Sequence, residues 1–251
     1  MRSATSSFKS MSDARVDPAI LAQQKAWNST ESLEFYRRHR QTPDDLYPSE
    51  RFFLPDVVAQ VSSMVDVGCA AGGFSAVVKR FNPGIRYVGV DVERNFVAAA
   101  KADHPESEFA LGDGIHFETP PGTFELAHSS GVLHVNLRYR EMIEAMWVQT
   151  SRFLLCDLRL TRGRPEVGQM VSPFGEREPV RLPYIVLGID EAIDLFTSLT
   201  PTPMRLQVKG YRHSVNATAT LADRDVIMAF FLAEKGSSAS ATRVDVDLDA
   251  R

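Results

Sequence analysis

The chain has 251 residues, of which 44% are hydrophobic and 24% charged, the proportions of a soluble globular protein with enough apolar surface to bury a sizeable core. A formal net charge of -4 argues against general affinity for nucleic-acid backbones, and no run approaches the roughly 18 apolar residues of a membrane span. The basic residues are mostly arginine, which suits planar anion-binding forks and is equally explained by a GC-rich gene.

Residues 1–17 are polar and serine-rich, lack the apolar core of a secretory signal, and read as a flexible tail. Residues 18–61 have helical character: Pro18 suits a first turn, Ser32 to Arg40 fill two more, and Ser49 is placed to cap a helix from Glu50 to Val61. Short apolar runs then alternate with helical spacings. Met64–Val67, Tyr87–Asp91, Phe109–Leu111, Phe124–His128 and Phe153–Leu158 are the strands, and Phe74–Phe81, Asn95–Asp103 and Arg138–Thr150 the helices. Continuous apolar strands alternating with helices predict an α/β fold, a mostly parallel sheet covered on both faces. Thr161–Pro183 is rich in glycine, proline and charge and too long for an ordinary connection. An amphipathic helix at Asp190–Leu199 precedes two strands, Arg205–Val215 and Asp225–Glu234, that pair naturally as an antiparallel hairpin. Residues 236–251 read as a second flexible tail, or at most a weak edge strand. The span 18–235 is therefore one domain. Cys69 and Cys156 are too few for a disulfide scaffold, so a reducing compartment, the cytoplasm, is expected.

Three features after separate strands form an ordered set. Val65-Asp66-Val67-Gly68-Cys69-Ala70-Ala71-Gly72-Gly73-Phe74 runs a buried strand through a loop of tiny residues into a helix, which lets a ligand lie against bare backbone. Asp91 ends the next strand, where a carboxylate can accept from both hydroxyls of a ribose. Gly112-Asp113-Gly114 ends the third, where Asp113 can accept from an adenine amine. A nicotinamide dehydrogenase also pairs a glycine loop with a later acid, but Ala70 interrupts its G-x-G-x-x-G, and Asp66 stands where it usually has an apolar residue.

From about Ser49 to Lys235 these residues resemble a class I S-adenosylmethionine-dependent methyltransferase. Asp66 to Gly72 resembles the family's acid-x-Gly-x-Gly-x-Gly motif, with Ala70 as a departure; Asp91 matches its ribose-binding acid and Gly112-Asp113 its adenine-side motif. Phe124 to His134 resembles its fourth strand and exit, with the Leu-His ending of small-molecule members. The resemblance implies a Rossmann-like seven-stranded sheet in the order 3-2-1-4-5-7-6 with strand 7 antiparallel. It implies S-adenosylmethionine as cofactor, held by Asp66, Gly68, Cys69, Ala70, Gly72, Asp91, Val92, Asp113, Gly114, Ser129 and Ser130. The nearest flavour is that of bacterial biosynthetic-cluster enzymes.

Methyl transfer from a sulfonium needs alignment above all, and an alcohol acceptor gains from a base. His134, just beyond the fourth strand, is the first candidate; Asp157, ending the fifth, is the second. His128 reads as structural. Tyr36, Arg40, Asn136 and Arg159 are candidates for the acceptor, with Tyr47, Arg51, Arg164, Arg177 and Arg181 behind them. The segment 161–183 is the expected substrate lid and 18–61 a helical cover. Ser129 and Ser130 stand where a metal-dependent relative has a carboxylate, so no metal is expected. The expected reaction is methylation of a small molecule or sugar, preferably on oxygen, without nucleic-acid or membrane partners. A ribosomal-RNA 2′-O-methyltransferase, whose loop is similar but whose acid after strand four is missing here, is the alternative, as is a non-catalytic cofactor-binding scaffold.

Overall fold

The structure, a computed structural model, describes residues 24–174, 179–236 and 241–250; the expected tail at 1–17 and Arg177 lie outside them. After a helical turn at 24–27, the chain forms helices α1 (Thr30–Arg38) and α2 (Pro48–Val58). Then come β1 (Ser63–Val67), α3 (Gly73–Phe81), β2 (Arg86–Asp91), α4 (Arg94–Asp103), β3 (Glu108–Leu111), β4 (Phe124–Ser129), α5 (Tyr139–Gln149) and β5 (Thr150–Thr161). The remainder is β6 (Glu166–Val171), β7 (Arg181–Gly188), α6 (Ile189–Thr197), β8 (Arg205–His213), β9 (Val226–Glu234) and β10 (Arg243–Ala250).

The main sheet runs β10-β8-β9-β5-β4-β1-β2-β3. Strands β1 to β5 are mutually parallel, β9 is antiparallel to both β5 and β8, and β8 is thereby returned to the common direction. This is the expected Rossmann-like order with β9 and β8 in the seventh and sixth positions. Two additions enlarge it to ten strands. The stretch read as a flexible tail contributes β10, which pairs parallel with β8 and closes ion pairs from Arg205 to Asp245 and Lys209 to Asp247. The 161–183 segment is largely a hairpin, β6 antiparallel to β7, hung from the end of β5 through Leu160 and Thr161.

The local chemistry explains the elements. Buried on both faces, β9 is a nearly continuous apolar run, and the shorter β1 and β4 are mostly apolar, with Asp66 and His128 buried as a hydrogen-bonded pair. Ser29 caps α1 and Ser32 returns to the Ser29 amide. Helix α2 starts two residues earlier than expected: Pro48 occupies its first position, and the Glu50 carboxylate, not Ser49, reaches back to the Tyr47 amide at 3.3 Å. One sheet face is covered by α5 and α6, the other by α2, α3 and α4. A third apolar cluster joins Ala26 to Met170, Leu182, Tyr184 and Val186 of the hairpin and to Val135 beyond β4. It holds the N-terminal segment and the hairpin together over the carboxyl ends of the strands.

Candidate active site

The loop after β1 is shaped by backbone that avoids side chains. Gly68 has φ +83°, and a Cβ on it would stand 2.2 Å from Val132 Cγ2. Ala70 also lies in the left-handed region, at φ 46°, although it carries a Cβ. Folding back on β2 holds it there: the amides of Gly68 and Cys69 donate to Val90 O at 2.7 and 3.1 Å, and the Ala70 amide donates to Asp91 Oδ2 at 2.8 Å. Asp91 Oδ1 accepts from the Glu93 amide at 2.9 Å. Each carboxylate oxygen keeps a second lone pair for a ligand. Burial nevertheless pushes the Asp91 carboxyl up to about 6, against the pull of those two amides. Asp113, at the end of β3, accepts from the amides of Ile115 and His116 and from His116 Nδ1; burial pushes its carboxyl up, but these bonds hold it below the ordinary range.

Behind the loop runs a buried chain of polar groups. Tyr87 donates its hydroxyl to Asp66 Oδ2, and Asp66 Oδ1 lies 2.7 Å from His128 Nδ1. His128 Nε2 lies 3.1 Å from Glu50 Oε1, and both Glu50 oxygens accept from Arg40, whose Nη1 also reaches Ser130 Oγ at 3.3 Å. Burial disfavours the His128 cation, but its bonds to Asp66 and Glu50 prevail and raise it to about 9. Glu50, penalised by burial, is brought down to about 2 by Arg40 and His128. The Arg40 guanidinium stacks 4.6 Å from the Phe74 ring centroid, and Phe74 stacks on His128 at 4.5 Å.

One cavity of about 460 Å³ runs along the strand ends. Asp91, Val92, Asp113, Gly68 and Ala70 line one end; Asn136, His134, Tyr184, His213, Asn216 and Arg159 line the other. Trp27, Phe35, Tyr36 and Phe174 form its aromatic roof, with Phe174 packed 5.1 to 5.9 Å from the other three rings and Ser172 donating to Ala26 O at 2.6 Å. The hairpin and the N-terminal segment thus cover the cavity jointly.

Tyr36, Arg40, Tyr47, Ser130, Asn136, His134 and Arg159 all line this cavity. Asp66 and Cys69 face a smaller neighbouring recess. Other candidates lie elsewhere. Ser129 is buried with its hydroxyl on Val67 O, Gly72 caps α3, and Gly114 packs against Val67 and Met142. Asp157 is fully buried, with one oxygen accepting from the Gly131 amide at 2.6 Å and the other from Arg159, so it is not a free carboxylate at the site mouth. Arg51 donates to Asp44 O, and Arg164 and Arg181 are exposed, off the cavity. Tyr184, His213 and Asn216 were missed because they come from the hairpin and the end of β8, where the sequence shows no motif. Among the described residues, no group of three or more His, Cys, Asp or Glu side chains could hold a metal ion.

A family model described as a methyltransferase domain matches residues 65–156, from β1 through the middle of β5. Comparison with curated proteins returns no match. Among solved structures, an S-adenosylmethionine-dependent methyltransferase from Methanosarcina mazei is similar at 14% identity, covering 76% of this chain and 98% of that one, with a TM-score of 0.57. The N-terminal domain of EvdMO1 with S-adenosylhomocysteine bound is similar at 11% identity, covering 76% and 80%, TM-score 0.52. SpnF, described as a [4+2]-cyclase, is similar at 16% identity, covering 74% and 80%, TM-score 0.51. At such identities the likeness is one of fold. The matched segment is also the one that carries the loop, Asp91, Asp113 and the β4 exit, so residues 65–156 form a methyltransferase domain within a Rossmann-like methyltransferase fold.

Proposed function

We propose that the protein methylates an oxygen of a small molecule or sugar. The observation that carries this reading is a continuous, roofed cavity, which joins the Asp91–Asp113 end to a further end at His134, Tyr184 and His213. The residues fit the cofactor: bare backbone at Gly68, a buried carboxylate at Asp91 for the ribose, Asp113 towards the adenine, and Arg40 with Ser130 for the amino-acid end. S-adenosylmethionine supplies an activated methyl group with a neutral leaving group. The chain's own task is to align the acceptor, exclude water and remove a proton.

His134 has the attributes of that base. It sits on a short turn, Leu133–Val135, edge-on to Tyr184 at 5.2 Å, and its Nδ1 is buried without a hydrogen-bond partner. Burial, then Arg159 and His213, lower its pKa well below the ordinary 6.5, so the ring is neutral and free to take a proton. His134→Ala is expected to lower kcat by about 100-fold and to leave S-adenosylhomocysteine affinity within about threefold. Because the base works unprotonated and its pKa is depressed, kcat/KM should stay flat as pH falls from 8 through 6.5, where an ordinary imidazole would titrate. Wild-type turnover in the variant, or a midpoint near 7, would remove His134 from the role.

The overall reading is tested by calorimetric titration with S-adenosylhomocysteine, then by a methyl-transfer screen over hydroxylated small molecules and sugars. No binding overturns the cofactor assignment for this chain. Binding without transfer to any of them, but with transfer to ribosomal RNA, overturns the small-molecule reading. Among the described residues, no helix is long and apolar enough to cross a membrane.

A further inference from the structure

The acceptor chamber is built around one buried cation. Arg159, at the inner end of β5, is only 3% exposed yet lines the cavity. Its Nη1 donates to Asp157, while its Nε is buried with no partner. A guanidinium has five N–H donors in a planar fork, and buried donors left unmade are costly, so a cavity-facing guanidinium held by one carboxylate oxygen is short of acceptors. The other Asp157 oxygen accepts from the Gly131 amide rather than from the guanidinium.

The neighbours supply none that is charged. The side chains that feel the Arg159 charge are Tyr47, Tyr184, Tyr211, His134 and His213. His134 Nδ1 is also buried and unpartnered. Burial, followed by Arg159, brings His213 down to about 4, so both rings are neutral near pH 7. The chamber therefore presents a positive fork among neutral rings, with an apolar flank of Val132, Val135, Met170 and Phe174 beside it. A planar group with two negative oxygens complements that fork.

We propose that the acceptor is a carboxylic acid whose carboxylate binds the Arg159 guanidinium, with Asp157 as the positioning residue that holds the fork in place. This deepens the methyl-transfer reading and rests on it. The carboxylate completes the donor set of Arg159, and the apolar body of the acid lies along the roofed flank. Neutral esters of the same body keep the apolar contacts and lose the anion.

The test titrates wild-type protein, saturated with S-adenosylhomocysteine, with benzoate, hexanoate and indole-3-acetate and with the methyl ester of each, at pH 7. At least one acid is expected to bind tenfold or more tightly than its ester. Arg159→Gln alone leaves Asp157 buried without its cation, so the neutral double variant Asp157→Asn/Arg159→Gln is the cleaner comparison. It should erase the acid preference while binding S-adenosylhomocysteine as the wild type does; Arg159→Lys, which keeps the charge without the fork, should retain part of it. Esters that bind as well as acids, no binding by any acid, or a preference that survives in the double variant overturns the proposal. Loss of S-adenosylhomocysteine binding by the wild type is a different result, which overturns the methyl-transfer reading beneath it.

Discussion

Asp91→Asn is expected to weaken S-adenosylhomocysteine binding by about 100-fold at pH 8 and to abolish a pH dependence that the wild type shows. The carboxylate is in position to accept two ribose hydroxyls while its oxygens hold the Ala70 and Glu93 amides. Charge-assisted bonds contribute about 1.5–3 kcal/mol each, and losing the charge from both gives roughly two decades after partial compensation by the amide oxygen. Asparagine also turns an NH2 towards one of those two backbone donors, which loosens the left-handed turn at Ala70. The sign of the pH effect follows from the raised pKa. Asp91 of the free protein takes up its proton near pH 6, and the ribose prefers the carboxylate, so binding below that pH must first expel the proton. Affinity should be flat above about pH 7 and fall towards tenfold per unit below about 6. Calorimetric titrations at pH 5 to 8 decide it: a flat wild-type profile down to pH 5, or an asparagine variant within threefold at pH 8, removes Asp91 from the ribose role.

That Asp91 could be picked out beforehand reflects where it sits. Strands buried on both faces leave a continuous apolar run, and what stops the run marks the ligand-facing edge of an open α/β sheet. The same logic found the glycine loop and Asp113. It failed at Asp157, which also ends an apolar run, because the partners that occupy its oxygens, Gly131 and Arg159, depend on how β4 and β5 lie beside each other. It failed again at the additions to the sheet. The hairpin of β6 and β7 exposes one face, with Val167 62% accessible, so glycine, proline and charge interrupt its pattern. In β10 the alternation of Val244, Asp245, Val246 and Asp247 is that of an edge strand, but a single short run with charged partners on β8 resembles a polar tail until those partners are known. His128 read as structural from its place inside β4. What it does there was hidden, since Glu50 lies 78 residues away in sequence and Asp66 lies 62 away.

Those two contacts give the second large effect. His128→Phe is expected to destabilise the fold by about 3 kcal/mol, because it leaves two buried carboxylates short of a cation while preserving the stacking on Phe74. The lower end of the range applies, since Glu50 keeps Arg40 and Asp66 keeps the Tyr87 hydroxyl. The pH signature separates this electrostatic cost from simple misfit. His128 is raised from 6.5 to about 9 by folding, so its contribution is complete below pH 6.5 and is lost as pH climbs through 9. Glu50 is lowered from 4.5 to about 2, so its contribution is complete above pH 4.5 and is lost as pH falls through 2. Urea unfolding of the wild type should therefore show a stability loss as pH climbs from 6.5 through 9 that the phenylalanine variant lacks. A loss below 1 kcal/mol, or the same alkaline slope in both proteins, would mean that the His128 charge is not coupled to folding. Because Arg40 belongs to the cover and Asp66 to the strand that launches the loop, the network fastens the roof of the cavity to its floor. We propose that Asp66, two residues before Gly68, serves the cofactor indirectly: it pairs with His128, which bonds Glu50, which in turn holds Arg40 beside Ser130. In the His128→Phe variant, cofactor affinity should accordingly fall together with stability.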